Sequence, residues 1–441
     1  MRIISSVEEG RRTILSRAPL EVEQIPLGVR ETTFRTFGKE LTPEEAVSRV
    51  IRDVREDGDN AIRYYNSAFD NSQPEELIVS SEEMQAARES VDAEVVEALQ
   101  YAAKRITEFH EQQLRSIGLN FQVNGLGQMT RPLQRVGIYV PGTAAPLPST
   151  ALMCAIPARI AGVEEVYIAS PTLEDGSISP IKLVAAEIAG VDAVFKVGGA
   201  QAIAALAYGT ESIPKVDKIY GPGGLFVTIA KQAVYGDVGV DAIYGPTETV
   251  IVADESGDPD LIAADLLAQA EHDRLASPIL LTPSRSLAEK VRAAVKIQLL
   301  DLERAKIAEE AFENRGGCIL VSDIEQAIEL ANEYAPEHLC LVVENPTAWV
   351  TKVKNAGGVF LGETSPEAVG DYTAGPSHTM PTGGSAKWSS PLGVSDFLKT
   401  ISVVNIPSAE AEELARMASI IARAEGLTAH AASVERRIQG R

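Results

Sequence analysis

From residue 135 to residue 361, short apolar runs of strand length alternate with stretches of helical character, and this rhythm constrains the chain more than any other feature. The first set comprises Val136-Gly-Ile-Tyr-Val140, Glu165-Val-Tyr-Ile-Ala169, Ala193-Val-Phe-Lys-Val197 and Val216-Asp-Lys-Ile-Tyr220, with a fifth strand expected over 240–244. Helical stretches begin between them near Ser149, Pro180, Gly199 and Gly224. The alternation resumes with Val250-Ile-Val252, Pro278-Ile-Leu-Leu281, Cys318-Ile-Leu-Val321, Leu339-Cys-Leu-Val-Val343 and Gly358-Val-Phe-Leu361. Helices near 259–270, 286–298 and 323–333 separate this second set. A helical crossover returns the chain to the same end of a sheet, so such strands pair in parallel. The expected fold class is α/β, with two doubly wound, Rossmann-like domains.

The flanks read differently. Residues 1–32 show no sustained period and are broken by Pro19, Pro26 and Gly28, which suggests an extended N-terminal arm. Thr42 to Glu45 is a capping box with Pro43 at the first helical position, and Val47, Val50, Ile51 and Val54 then form one apolar stripe that Gly58 ends. A second box, Ser80 to Glu83, opens another helix. These first helices are expected to join the second α/β unit, giving one domain over 33–134 plus 248–390 and another over 135–247. Residues 391–441 hold a strand-like run over 402–406 and a helix near 408–424, a small helical tail too short for a core of its own.

Composition removes whole classes of function. A formal charge of −22 argues against nucleic acid or an anionic membrane as partner. No apolar run approaches the roughly 20 residues that cross a bilayer, and the first residues lack the apolar core of a secretory signal. Cys154, Cys318 and Cys340 lie in apolar surroundings without metal-ligand spacing, as expected of small core residues in a reducing cytoplasm.

Histidine is the informative residue. There are five, and His110 alone has the context of a helix surface. Gln269-Ala-Glu-His272 closes an apolar helix, and its spacing of three puts Gln269 and His272 on one face, where both reach one ion. In Tyr334-Ala-Pro-Glu-His-Leu339, Pro336 holds Ala335 out of the helical region, leaving Glu337 and His338 on an irregular connector. A carboxylate beside an imidazole can activate water and accept a proton; a helix C-terminal turn explains the same residues equally well. Asp371 and His378 sit in a long glycine- and proline-rich stretch over 370–384, and Glu425 and His430 follow the last long helix. Two turns, Gly198-Gly-Ala-Gln201 and Gly221-Pro-Gly-Gly224, each follow a strand and open a helix, as anion sites do. Neither matches G-x-G-x-x-G with a distant acid.

Together these stretches resemble the histidinol dehydrogenase family. The resemblance runs through Tyr139-Val-Pro-Gly142, Val197-Gly-Gly-Ala-Gln-Ala-Ile-Ala-Ala-Leu206, Tyr220-Gly-Pro-Gly223 and Gly245-Pro-Thr-Glu248. It continues through Asp265-Leu-Leu-Ala-Gln-Ala-Glu-His272, Ala335-Pro-Glu-His-Leu339, Gly370-Asp-Tyr-Thr-Ala-Gly-Pro-Ser-His378 and Glu425-Gly-Leu-Thr-Ala-His430. The resemblance implies a four-electron oxidation of L-histidinol to L-histidine through the aldehyde, with two NAD⁺, one zinc per subunit and a homodimer with shared active sites. It implies Gln269, His272, Asp371 and His430 as zinc ligands, Glu337 and His338 as the catalytic pair, and Tyr139, Gln201 and Gly224 at the nucleotide. Thr247, His378 and Glu425 match substrate-binding positions, beside Gln269, His272, His338, Asp371 and His430. On this reading 135–247 is the nucleotide side, 33–134 with 248–390 the zinc side, and 391–441 the dimerisation tail. Two positions depart from the family pattern: Gly224 stands where an asparagine is usual, and Thr247 where a serine is common. The alternative is a paralogue oxidising another small hydroxy substrate, such as a sulfonated propanediol; His378 and Glu425 suit the imidazole-bearing substrate better.

Overall fold

The computed structural model describes residues 1–17, 27–118, 120–142 and 146–438. Every apolar run of the alternating region enters one of two parallel sheets. The first has five strands in the spatial order Ala193–Lys196, Glu165–Ser170, Arg135–Tyr139, Lys218–Tyr220, Gly239–Val240. The second has six, in the order Ile3–Ile4, Gly317–Leu320, Ser277–Thr282, Glu248–Ala253, His338–Val342, Gly358–Leu361. All neighbours within these two sheets are parallel. In both sheets the first strand of the alternating set is central, and the chain winds to one side before returning to the other. That reversal is the doubly wound signature.

Over the described residues the arm is not an extended segment. Ile3–Ile4 adds an edge strand to the six-stranded sheet, Val7–Arg12 is helical, and Ile4 and Ile14 pack with Ile319. A helix also covers Leu27–Phe37. A strand of two residues and a helix of six are too short to leave a period in the sequence. Pro19 and Pro26 lie outside the described residues.

The helices over 43–116 pack on the five-stranded sheet, not on the second unit as expected. Val47, Val50, Ile51 and Val54 share a core with the helix Gly199–Tyr208, and Leu99, Ala102 and Ile106 share one with the helix Pro148–Ala161. The reason lies in the covered helices. Gly199–Tyr208 and Pro148–Ala161 are apolar on nearly all sides and buried along most of their length, so each needs a second layer over its outer face. Both capping boxes form, at Thr42–Glu45 and Ser80–Glu83. Gly58 breaks the helix Pro43–Asp70 without ending it: it holds φ 50°, ψ −127°, and the Glu211 carboxylate accepts from the Asp59 N–H at 2.9 Å. His110, expected on a helix surface, is fully buried, with Nδ1 2.8 Å from the Ile106 carbonyl.

The fifth strand of the first unit stops at Val240 because Asp241 turns inward. Its carboxylate accepts from Lys231 Nζ and from the Gly221 N–H and Tyr244 hydroxyl at 2.8 and 2.9 Å, which pulls 241–244 across the sheet end. The strand expected over 402–406 lies instead at Leu398–Val404, antiparallel to Leu126–Pro132, which pairs in turn with Phe121–Val123. This hairpin is exposed and gave no clear period. The helices Ser408–Ala424 and Thr428–Ile438 pack on each other and leave Leu414, Met417, Ile420, Ile421 and Leu427 exposed. No helix among the described residues is long and apolar enough to cross a membrane.

Lys231 and Asp241 are 2 % and 3 % exposed, so removing one charge strands the other in the interior. Lys231→Met is expected to cost on the order of 3–5 kcal/mol. Thermal and urea unfolding of the variant measure this, and an unchanged midpoint would show that Asp241 is solvated by other means.

Candidate active site

The catalytic candidates arise where a helix hands over to a strand. Helix Ile324–Tyr334 ends at Ala335, held at φ 53°, and Pro336 prevents a further turn. Glu337 follows, and His338 is the first residue of the strand His338–Val342, which pairs with Glu248–Ala253. Both side chains line one cavity of about 190 Å³. Thr247, just before the neighbouring strand, lines it too, and its hydroxyl donates to Glu337 Oε2 at 2.6 Å. The Glu248 N–H donates to the same oxygen at 3.2 Å.

Helix Pro259–Ala270 delivers Gln269 in its last turn and His272 just beyond, both to the same cavity. Asp371 comes from the short helix Glu367–Tyr372. The stretch after it folds back so that His378 Nδ1 lies 3.0 Å from the Asp371 carbonyl. Seven of the expected residues thus meet: Thr247, Gln269, His272, Glu337, His338, Asp371 and His378. Glu425 and His430 do not line it; both are exposed on the C-terminal helix pair.

Sequence reasoning missed Glu367. Its carboxylate is 3 % exposed, bonds to the Thr249 hydroxyl and the Gln269 amide, and lies 3.5 Å from His338 Nδ1. The signal existed in Glu367-Ala-Val-Gly-Asp371, where a spacing of four puts two acids on one helical face. Nothing in the local composition announced a helix there.

The opposite wall comes from the five-stranded sheet. Ser149 and Thr150 open the helix after the central strand, and Pro222 follows the next strand, so the cavity meets this sheet at its topological switch point. Gly221 is required there: it holds φ +102°, and a Cβ would lie 2.2 Å from the Tyr139 carbonyl oxygen. Tyr139 and Gln201 do not line the cavity. The Tyr139 hydroxyl accepts from the Gly199 N–H at 3.2 Å, while Gln201 is fully buried with its Nε2 3.4 Å from Asn66 Oδ1. Gly224 caps the helix Leu225–Val234 in open space, with no atom within 4 Å of a built Cβ.

Burial dominates the electrostatics. It raises the carboxyl of Glu337 to about 8 and that of Asp371 to about 7, and raises Glu367 well above the usual range. It lowers His338 to about 3 and His378 to about 4. Neither ring nitrogen of His338 has a hydrogen-bond partner. Among the described residues no group of three or more His, Cys, Asp or Glu side chains forms a metal cage. Within one chain the expected ligand set offers an amide, an imidazole and a carboxylate around the cavity. These donors suit a divalent cation, and no Lys or Arg lines the cavity to neutralise its acids.

Two parallel sheets closing on a buried carboxyl–imidazole pair define an α/β enzyme. The model of the histidinol dehydrogenase family matches residues 35–438. Histidinol dehydrogenase of Thermus thermophilus is 51% identical over 397 residues, covering 90% of this chain and 95% of its own. That of Deinococcus radiodurans is 46% identical over 442 residues and covers 100% of both chains. The crystal structure of histidinol dehydrogenase from Elizabethkingia anophelis superposes with a TM-score of 0.89 at 35% identity, covering 99% of this chain and 97% of that one. The chain belongs to the histidinol dehydrogenase family and is a dehydrogenase of that type.

The shifted groups set a pH dependence. Below about pH 6.5 the two histidines oppose the acids, because the unfolded chain binds protons there that His338 and His378 refuse. Between about pH 6.5 and 8 Glu337 still holds a proton that an unfolded glutamate, at 4.5, has lost. The native state then binds more protons, so its stability falls as pH rises. The metal-free protein is expected to lose on the order of 1 kcal/mol per pH unit from Glu337 alone across this window. Melting curves from pH 6.5 to 8 should be flatter for Glu337→Gln; parallel curves would contradict the assignment.

Proposed function

We propose that this dehydrogenase oxidises L-histidinol to L-histidine through the aldehyde, the final oxidation of histidine biosynthesis, passing one hydride to each of two NAD⁺. The observation that carries the reading is the buried Glu337–His338 pair on the floor of a cavity also lined by Gln269, His272, Asp371 and His378. In the alcohol step a base must take the hydroxyl proton as hydride leaves. His338 is the candidate: neither ring nitrogen is engaged within the chain, and carboxyl oxygens of Glu367 and Asp371, at 3.5 and 3.8 Å, are placed to stabilise the imidazolium that forms. The aldehyde step needs water on the carbonyl carbon, and Glu337, its carboxyl held by Thr247 and Glu248, is the group to activate it. A carboxyl titrating near 8 is well matched to base work at mildly alkaline pH. His378 and Thr247 would bind the substrate.

Gln269, His272 and Asp371 would hold zinc together with His430 of a second copy of this chain, and zinc, when bound, supplies a template that orients the amino alcohol. NAD⁺ would lie over the carboxyl ends of the five-stranded sheet, near Tyr139, Gln201 and Gly224. The exposed apolar residues of the C-terminal helices favour a homodimer in which Glu425 and His430 reach the partner's cavity. Three unpaired buried cysteines accord with a reducing, cytoplasmic setting.

Absorbance at 340 nm with NAD⁺ and L-histidinol tests the function; turnover of a sulfonated propanediol and none of histidinol would replace it by the alternative substrate class. Chelation should abolish activity and Zn²⁺ restore it. Glu337→Gln should spare aldehyde formation more than aldehyde oxidation.

Shared sites make a separate prediction. His338→Asn and His430→Ala proteins, each inactive, are mixed under conditions that exchange subunits. In a mixed dimer one site collects both lesions and the other neither, so activity should reappear. A mixture as inactive as its parents would show that each site is built within one chain.

A further inference from the structure

The N-terminal segment, which the sequence left without a role, carries a side chain that reaches the back of the Glu337 turn. Arg17 donates from Nε to Glu248 Oε1 at 2.8 Å and from Nη2 to Glu248 Oε2 at 2.7 Å. The pair is bidentate, with the Glu248 side chain 2 % exposed and that of Arg17 23 %. The same guanidinium stands 3.7 Å from the centre of the Tyr334 ring. It also donates through Nη1 to the Tyr334 carbonyl and through Nη2 to the Ala335 carbonyl at 3.4 Å. Gly384 closes the other side at φ +82°, where a Cβ would lie 2.7 Å from Arg17 Nη1.

Two short routes lead from this guanidinium to Glu337. Glu248, fixed by the ion pair, presents the backbone N–H that donates to Glu337 Oε2 at 3.2 Å. Tyr334 and Ala335 are the residues from which Pro336 and Glu337 depart, and Ala335 holds a left-handed conformation at φ 53°. That conformation is unfavourable for an alanine, and the guanidinium bonded to the two carbonyls holds the chain in it.

We infer that Arg17 is a positioning residue that fixes Glu337 for water activation through Glu248 and through the turn at Ala335. The inference rests on the role proposed above for Glu337. It requires the planar fork, because a lysine ammonium cannot span both Glu248 oxygens and the two carbonyls at once.

The test is a double-variant cycle. Arg17→Met and Arg17→Lys are assayed alone and combined with Glu337→Gln, with L-histidinol and with the aldehyde as substrate. Arg17→Lys is expected to lower kcat for aldehyde oxidation on the order of tenfold to a hundredfold, the scale of a displaced reacting group. Aldehyde formation and KM for NAD⁺ should change much less, and the loss should nearly vanish in the Glu337→Gln background. Losses that multiply in the double variant, or that fall equally on both oxidations, overturn the inference, because general loosening acts whether or not Glu337 is present. Full aldehyde oxidation by Glu337→Gln alone would overturn the role of Glu337 instead. If Arg17→Met fails to fold, Arg17→Lys, which keeps the charge and the alkyl stem, carries the comparison.

Discussion

Two parallel sheets of the same winding meet at opposite ends, and the cavity with its seven candidate residues lies at that meeting. The five-stranded sheet offers its carboxyl ends, through Pro222 after one strand and Ser149 after another. The six-stranded sheet offers its amino ends, where Thr247 and Glu337 precede strands and Gln269 closes a helix. Binding at carboxyl ends is the rule for open α/β sheets. The first sheet obeys it and leaves its switch-point crevice to a ligand; the second contributes the connectors that run from helix to strand.

Burial of these connectors governs their chemistry. Glu337, His338 and Glu367 are all buried, and water is the usual stabiliser of their charged forms. The acids therefore move up and the imidazoles down, until the ligand-free cavity is close to neutral near pH 7. Backbone and hydroxyl donors hold the acids in place without supplying charge: Thr247 and Glu248 bind Glu337, and Thr249 binds Glu367.

The sequence made the regular part legible. The strands of the alternating region, the one expected over 240–244 apart, were readable because a parallel strand buried on both faces is a largely apolar run, as Glu248–Ala253 and Ser277–Thr282 are. The site was readable where residue type and spacing coincide, as at Gln269 and His272. Three things were not. Ile3–Ile4 is too short for a period, yet parallel pairing with Cys318 and Ile319 decides where it lies. The helices over 43–116 carry an apolar stripe that says they pack but not on what, and the partner is set by the apolar surroundings of Gly199–Tyr208. Glu367 belongs to the site through a tertiary contact with Thr249, and its own neighbours do not announce it.

The second sheet has a switch-point crevice of its own, and comparing its two ends shows why the chemistry lies where it does. At the carboxyl ends, Asp254 accepts from the Ser256 and Glu344 N–H groups, both at 3.0 Å, and Glu255 accepts from the Ser284 hydroxyl at 2.9 Å. Those carboxylates are held by hydrogen bonds from their own loops. At the amino ends the balance is reversed. His338 is buried with both ring nitrogens unpaired, although three carboxylates stand within 3.5 to 3.8 Å of them. Leaving a buried polar atom unpaired costs on the order of 1–3 kcal/mol. Within the six-stranded sheet this unpaired imidazole stands at the amino end of the strand His338–Val342, where it lines the cavity and is left able to take up a partner.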